Sequence, residues 1–484
     1  MNRRMFFLRT VVVFLSFVSI HFSVYAQQST GESGRAKYVF FFIGDGMGLA
    51  QVNTTEAYLA ALEGQIGFEH LEFTEFPQVG TVSTYANNRL ITCSAAAGTA
   101  LATGNKTNIN RISMDPEGMR PFETIAEKAK KAGYQVGIVT SVSIDHATPA
   151  VFYAHQPDRD MYFEIGIDLV NSGFDYFAGG GFLIPEGILG LETVELPQLA
   201  AEKGYKVINT AQAFQELGPG SGKTLVLSPR TAAGASLPYN LDMNPGDLTL
   251  ADYTSTGISL LSGDEGFFMM VEGGKIDWAG HANDAATLVQ EVIAFDDAIE
   301  VAVDFYRQHP EETLILVTAD HETGALALGH GASGYESNIS LLKYQKSSLE
   351  ELNKIVGQFR VNKSGDSDAD FTRMLKVLET ELGLNSRQAG TLLDSTEMVT
   401  LKAIFIDNVY GMASEKGEYG DYEPFMAEAV KIMNTKAGIS WGSTAHTAIN
   451  VPIYSIGIGS ELFAGYIDNT DIPKIIGEIM GVWR

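Results

Sequence analysis

Residues 271–281 spell V-E-G-G-K-I-D-W-A-G-H, placing two carboxylates and an imidazole just downstream of a compact apolar run. That run, GFFMMV at 266–271, is bounded by glycines, the pattern of an interior strand in a parallel sheet. Glu272 then falls at the strand's carboxyl end, outside which open α/β sheets bind their ligands. Asp277 and His281 stand four apart, so a single helical turn would point both side chains the same way. Oxygen and nitrogen donors gathered in one place suit zinc, or a zinc and magnesium pair. The same residues also fit an N-capping Asp, a surface His and an ion-paired Glu.

Other segments carry matching chemistry. The apolar run 36–43 (AKYVFFFI) leads directly into Gly44-Asp45-Gly46-Met47-Gly48. The helix-entry glycine spacing of a dinucleotide fingerprint is missing and an Asp occupies the turn, which favours a cation over a nucleotide. After the apolar run 313–318 come Asp320 and His321. Four acids at strand ends would repel one another unless cations sat between them. With His281, His321 and His446 the chain can supply two nitrogen-containing zinc sites and one oxygen-rich magnesium site. Ser94 precedes an Ala-rich segment suited to a helix, where it is either an N-cap or a nucleophile activated by a metal at a helix N-terminus.

These residues need a scaffold that presents strand ends. The segment 121–134 (PFETIAEKAKKAGY) predicts an amphipathic helix with a Gly stop, followed by the interior strand QVGIVTS. Residues 313–318 and 451–457 repeat the strand pattern, and 284–309 predicts a long helix. Strands alternating with helices predict a doubly wound, mostly parallel α/β sheet with helices on both faces. Residues 180–250, rich in Gly, Pro and Leu, predict peripheral elements outside the core sheet. Residues 330–439 are more polar, with helical patterns at 341–359 and 368–383, and lie between two core strands as a cap-like insertion.

With 45% hydrophobic residues, 50 glycines and 15 prolines, the 484-residue chain has the makings of a sizeable core and many tight turns. Arg3, Arg4 and Arg9, an apolar stretch at 11–24 and a small-residue site after Ala26 predict a signal peptide over 1–26. Its apolar part is short and broken by polar residues, and no later segment has about 18 apolar residues in a row, so no stable membrane span is expected. The mature chain, 27–484, is expected to be exported, periplasmic or secreted. Cys93 is the lone cysteine, which excludes an intramolecular disulfide. The formal charge of −26 disfavours nucleic acid and anionic lipid, so a phosphate substrate needs a local positive centre.

Six segments, in order, resemble the alkaline phosphatase family: GDGMG (44–48), TCSAAAGTALATGNKT (92–107), HATPA (146–150) with Arg159, VEGGKIDWAGH (271–281), TADH (318–321) and STAHT (443–447). Together they span most of the mature chain. The resemblance implies a phosphomonoesterase with two Zn2+ and one Mg2+. It assigns Asp277, His281 and His446 to one zinc and Asp45, Asp320 and His321 to the other. Asp45 would bridge to magnesium, held also by Thr148 and Glu272 with His146 alongside. It makes Ser94 the nucleophile that becomes phosphorylated and Arg159 the clamp on two phosphate oxygens, a bidentate task that suits Arg better than Lys. Activity rising into the alkaline range and a homodimer, common in the family, are further expectations.

Three positions depart from the best-known bacterial pattern. Cys93 stands where an Asp is common, leaving the orientation of Arg159 open. Trp278 stands where Lys or His often contacts phosphate; packing and an indole N–H on substrate phosphate are both open readings. His146 stands where some relatives have Asp. Competing functions are a phosphodiesterase of the same superfamily, since fold does not fix substrate, and a metal- or phosphate-binding protein whose catalysis has lapsed. The sulfatase pattern, Cys or Ser followed by x-P-x-R, is absent.

Overall fold

The computed structural model describes residues 34–411, 415–417 and 420–483, so the expected signal peptide lies outside the described residues. Ten strands form the central sheet: Tyr38–Ile43 (β1), Gln78–Ser83 (β2), Gln135–Thr140 (β3), Tyr176–Gly179 (β4), Lys206–Ile208 (β5), Thr224–Leu227 (β6), Phe267–Glu272 (β7), Thr313–Thr318 (β8), Val451–Gly457 (β9) and Gly465–Asp468 (β10). Their spatial order is β10-β2-β9-β8-β1-β7-β3-β4-β6-β5. The sheet is mostly parallel, as expected, and β1 shows why. Its side chains are all apolar because both faces are covered: Phe40 and Phe42 meet Phe305 and Phe295 on one face, while Phe41 meets Phe152 on the other.

The helices that matter here are Leu49–Leu62 (α1), Ser94–Thr103 (α2), Ile125–Lys131 (α3), Lys275–His281 (α4), Ala285–Gln308 (α5), Leu349–Val361 (α6), Ser367–Glu381 (α7), Ser395–Tyr410 (α8) and Pro424–Ala437 (α9). Helix α3 starts four residues later than the pattern from Pro121 predicts. Thr124 takes the Glu127 amide and Glu127 answers to the Thr124 amide, a capping box that fixes the start. In α5 the Asp284 side chain caps the Thr287 amide. The pattern at 341–359 splits into a 3₁₀ turn, Ile339–Tyr344, and α6, because Ser348 caps the Glu351 amide.

Two features of the sheet add to these expectations. Residues 180–250 are not wholly peripheral: β6 pairs with β4 and β5 with β6, extending the sheet at one edge. The second concerns β9, which runs antiparallel to both β8 and β2. The chain leaves β8 at the carboxyl edge, makes the excursion through α6–α9, and returns to that same edge, so the next strand must run back. The segment before β9, which carries His446, therefore joins the carboxyl edge. Within that excursion Leu352, Val356, Met374, Leu378, Phe405 and Phe425 bury one another in a second apolar core.

Candidate active site

Parallel register levels the strand ends that carry the chemistry. Ile43 of β1 pairs with Glu272 of β7 and Thr318 of β8, and Thr140 of β3 also pairs with Glu272. Asp45, Glu272 and Asp320 consequently emerge side by side. Gly46 is closely packed: at φ +72° it lies where an added Cβ would stand 2.8 Å from the Asp277 Cα and 2.9 Å from the Thr323 Oγ1. Only glycine fits both that left-handed backbone and that space. Its amide donates to Asp320 Oδ1 at 3.2 Å.

Helix α4 brings Asp277 and His281 to one face, with His281 Nε2 3.4 Å from Asp277 Oδ2. His446 Nε2 reaches 3.6 Å from Asp277 Oδ1 and 3.0 Å from His281 Nε2. Both imidazoles face a backbone carbonyl through Nδ1, His281 the Thr444 oxygen at 2.7 Å and His446 the Thr92 oxygen at 2.9 Å. A carbonyl only accepts, so each Nδ1 carries the proton and the two Nε2 lone pairs converge. Converging lone pairs beside a carboxylate call for a cation.

A second grouping joins Asp45, Asp277 and His321, whose potential ligand atoms all lie within 4.8 Å of one another. His321 Nε2 stands 3.5 Å from Asp45 Oδ1, 3.3 Å from Asp320 Oδ2 and 3.3 Å from Ser94 Oγ. A third grouping joins Asp45, His146 and Glu272. Thr148 donates to Asp45 Oδ2 at 3.2 Å and Thr140 donates to Glu272 Oε2. His146 accepts at Nε2 from Arg159 Nη2 at 3.0 Å, which leaves its proton on Nδ1, 4.0 Å from Glu272 Oε1. In that tautomer His146 is a donor toward Glu272, and direct ligation would require giving up the arginine.

Asp45, Glu272, Asp277 and Asp320 are fully buried. Asp45 Oδ1, Glu272 Oε1, Asp277 Oδ2 and Asp320 Oδ2 make no hydrogen bond. Burial, then the charges of Asp320, Asp277 and Glu272, push the Asp45 carboxyl well above the ordinary range. Burial likewise pushes Glu272 to about 8 and Asp320 to about 7. Burial acts on Asp277 the same way, but its three histidine neighbours outweigh it and hold that carboxyl low. Four such acids cannot all ionise together without positive charge between them, so orphaned oxygens and converging nitrogens fit divalent cations.

Ser94 is buried at the first position of α2, where Cys93 is the N-cap and makes no side-chain capping hydrogen bond. The serine hydroxyl is therefore not committed to capping and points at His321. Cys93 Sγ accepts from the Asn110 amide at 3.3 Å, and the Asn110 carbonyl accepts from the Arg159 amide at 2.8 Å. The loop bearing Arg159 is thus tied to the Ser94 region through its backbone. Trp278 is buried, its ring edge-on to His146 at 6.0 Å between centroids.

The alkaline phosphatase family model matches residues 36–173 and 191–482. The chain belongs to the alkaline phosphatase family. This family member is 32% identical to alkaline phosphatase 3 of Bacillus subtilis over 93% of its own length and 90% of the relative's. A cold-active alkaline phosphatase of a psychrophilic Shewanella species is 29% identical, with a TM-score of 0.76 over 92% of this chain and 99% of that one. The Thermus thermophilus alkaline phosphatase shares the fold, with a TM-score of 0.75 over 95% of this chain and 96% of that one, at 24% identity. As a family member the chain is an enzyme that hydrolyses phosphate monoesters.

Three residues near the site escape sequence reasoning. Thr323 donates to Asp277 Oδ1 at 2.5 Å and lies 3.3 Å from His321 Nδ1, linking two of the groupings. Glu322 accepts from Gln51 at 2.7 Å and from Thr447, tying α1 to the His446 segment. Lys275, inside the 271–281 run, is completely buried. A lysine amid apolar and glycine residues was the signal available for the last; Thr323 and Glu322 had none beyond adjacency to His321.

Proposed function

We propose that this enzyme cleaves phosphate monoesters by two successive displacements at phosphorus with Ser94 as the nucleophile. The observation that carries this reading is Ser94 Oγ, uncommitted to its helix, 3.3 Å from His321 Nε2 and facing the buried carboxylates. Asp277, His281 and His446 would hold one zinc, and Asp45, Asp320 and His321 the other. Asp45, Thr148 and Glu272 would hold magnesium, with His146 beside it. When bound, these cations would neutralise the carboxylates and phosphoryl oxygens and lower the pKa of adjacent hydroxyls, raising activity toward alkaline pH.

Ser94 gives up its hydroxyl proton as Oγ forms a bond to phosphorus and the ester P–O bond breaks, and the departing alkoxide takes up a proton to leave as the alcohol. Water then attacks the phosphoserine, losing a proton as its oxygen joins phosphorus and the Ser94 P–O bond breaks; Ser94 Oγ takes a proton back and inorganic phosphate leaves. Arg159 clamps two phosphoryl oxygens through its planar guanidinium. The N-terminus of α2 favours the negative charge gathered at Ser94. Trp278 walls the phosphate pocket beside His146. The catalytic unit spans 27–484 with the insertion at about 330–439; export, through residues 1–26, and a homodimer complete the reading. Among the described residues no helix is long and apolar enough to cross a membrane.

The test is Ser94→Ala assayed with p-nitrophenyl phosphate at matched metal content, expected to lose roughly a thousandfold or more in kcat. Label from radioactive phosphate, trapped by acid quench, should appear on Ser94 of the parent. Parental turnover by the variant would overturn the nucleophile. Equal or faster turnover of bis-p-nitrophenyl phosphate by the parent would overturn the monoester preference.

A further inference from the structure

Lys275 opens α4 two residues before Asp277, yet its side chain points away from the carboxylates into a closed pocket. Its ammonium donates to Ser236 Oγ and the Leu237 carbonyl, each at 3.1 Å, and stands 3.5 Å from the Tyr239 ring centroid. Its counter-charge comes from far along the chain: Glu350 Oε2, near the start of α6, lies 3.9 Å from Lys275 Nζ. The other Glu350 oxygen accepts from the Ala233 amide at 3.2 Å. A buried ammonium costs stability that a methionine of similar volume would not.

The same pocket supports Trp278. Lys275 and Trp278 are three apart on one helix face, with the ammonium 5.1 Å from the indole centroid. Gly234, in the loop anchored by Glu350 and Lys275, lies directly against the indole; an added Cβ would stand 2.8 Å from Trp278 Cη2. The indole in turn meets His146 edge-on, and His146 accepts from Arg159. A continuous path of contacts thus runs from the insertion to the guanidinium.

We propose that Lys275 is a positioning residue for the phosphate site, seating Trp278 and through it the His146–Arg159 pair, with Glu350 of the insertion as its counter-charge. This rests on the reading of Arg159 as the phosphate clamp. It gives the insertion a part in phosphate affinity although it contributes none of the residues assigned to the site.

The test compares the parent with Lys275→Met, Glu350→Gln and the double variant, using p-nitrophenyl phosphate as substrate and inorganic phosphate as competitive inhibitor, with metal content and Tm measured alongside. Lys275→Met should raise KM and the phosphate Ki together by roughly three- to tenfold, with kcat within about twofold of the parent. Glu350→Gln should shift both constants in the same direction by less, and the double variant should match Lys275→Met. Parental KM and Ki in Lys275→Met, or a loss confined to kcat, overturns the proposal; effects that add overturn the link to the insertion. Should Lys275→Met fail to fold, Glu350→Gln decides, and parental constants in that variant overturn the proposal. Arg159→Ala, run in the same series, reads the clamp by itself: a raised phosphate Ki there with parental constants in Lys275→Met overturns the positioning role alone, whereas a parental Ki in Arg159→Ala overturns the clamp reading.

Discussion

In the insertion, buried Asp370 and Glu423 each meet a cation: Arg373 Nη1 lies 2.8 Å from Asp370 and Arg360 Nη2 lies 2.6 Å from Glu423. Asp370 also accepts from the Tyr410 hydroxyl at 2.5 Å and the Ser364 amide at 2.7 Å, and Tyr410, with that amide and Arg373, holds its carboxyl below the ordinary value. At the carboxyl edge of the sheet, Asp45, Glu272, Asp277 and Asp320 are buried and face one another and histidine lone pairs. Burial, together with that crowding of acids, pushes three of them up instead of down. The same residue types serve opposite ends. Where the chain supplies the counter-charge, the acid holds the fold together; where it withholds the counter-charge, the acids form a site for an outside cation.

Chelation should break this comparison most sharply. Removing metal is expected to abolish turnover and to destabilise the protein by about 4 kcal/mol for a site held at a thousandfold its Kd. Hydrogen exchange should rise at residues 44–48, 272–281, 318–323 and 443–447 while α6–α8 keep their protection. Uniform deprotection, or none, would mean that the two sets of acids are not different in kind.

A smaller effect is expected from the insertion itself. Arg360→Leu leaves Glu423 with Asn408 as its side-chain partner among the described residues, at 2.8 Å. Urea unfolding should show a loss of about 2–3 kcal/mol, below the full cost of breaking a buried pair because Arg360 is partly exposed. The folded fraction should keep parental kcat/KM within about twofold. Lost activity at unchanged stability would place Glu423 among the acids that serve the site.

The smallest effect concerns an acid of a third kind. Among the described residues Asp296 on α5 accepts from backbone amides alone, from Glu72 at 3.0 Å and Phe73 at 3.4 Å, and burial pushes its carboxyl to about 7. The folded state therefore holds this proton more tightly than the unfolded chain, whose Asp titrates near about 4. Its contribution is complete below about pH 4 and is lost as pH rises through about 7. In metal-saturated protein, Asp296→Asn should flatten the fall in Tm between about pH 4 and 8; an unchanged slope would show that Asp296 is already ionised in the native state.

Much of the scaffold was legible in the sequence. Apolar runs such as those in β1, β7 and β8 announce strands covered on both faces, and the glycines that follow β1 and β7 announce turns. From there the placement of Asp45, Glu272 and Asp320 at one edge follows without knowing any neighbour. The split of the 341–359 pattern was less visible, since it depends on Ser348 answering to the Glu351 amide instead of continuing the periodicity. Strands β5 and β6 are short, and what makes them sheet members is the exposed edge of β4, a partner that local composition does not reveal.

The chain alone determined which residue types lie on which face of which element, because side-chain periodicity is local and burial selects it. It also determined that acids and histidines cluster where strands end. The tertiary structure decided their grouping: which carboxylate oxygen shares space with which imidazole, that Asp277 stands between two of the groupings, and that His446 arrives at all. His446 lies 165 residues from His281 along the chain, and their 3.0 Å contact exists because the excursion after β8 returns to the edge it left. Lys275 and Glu350 meet for a similar reason. Such distances are set by strand register and chain reversal, sums of many weak contacts over the whole core, and no local pattern of residues encodes them.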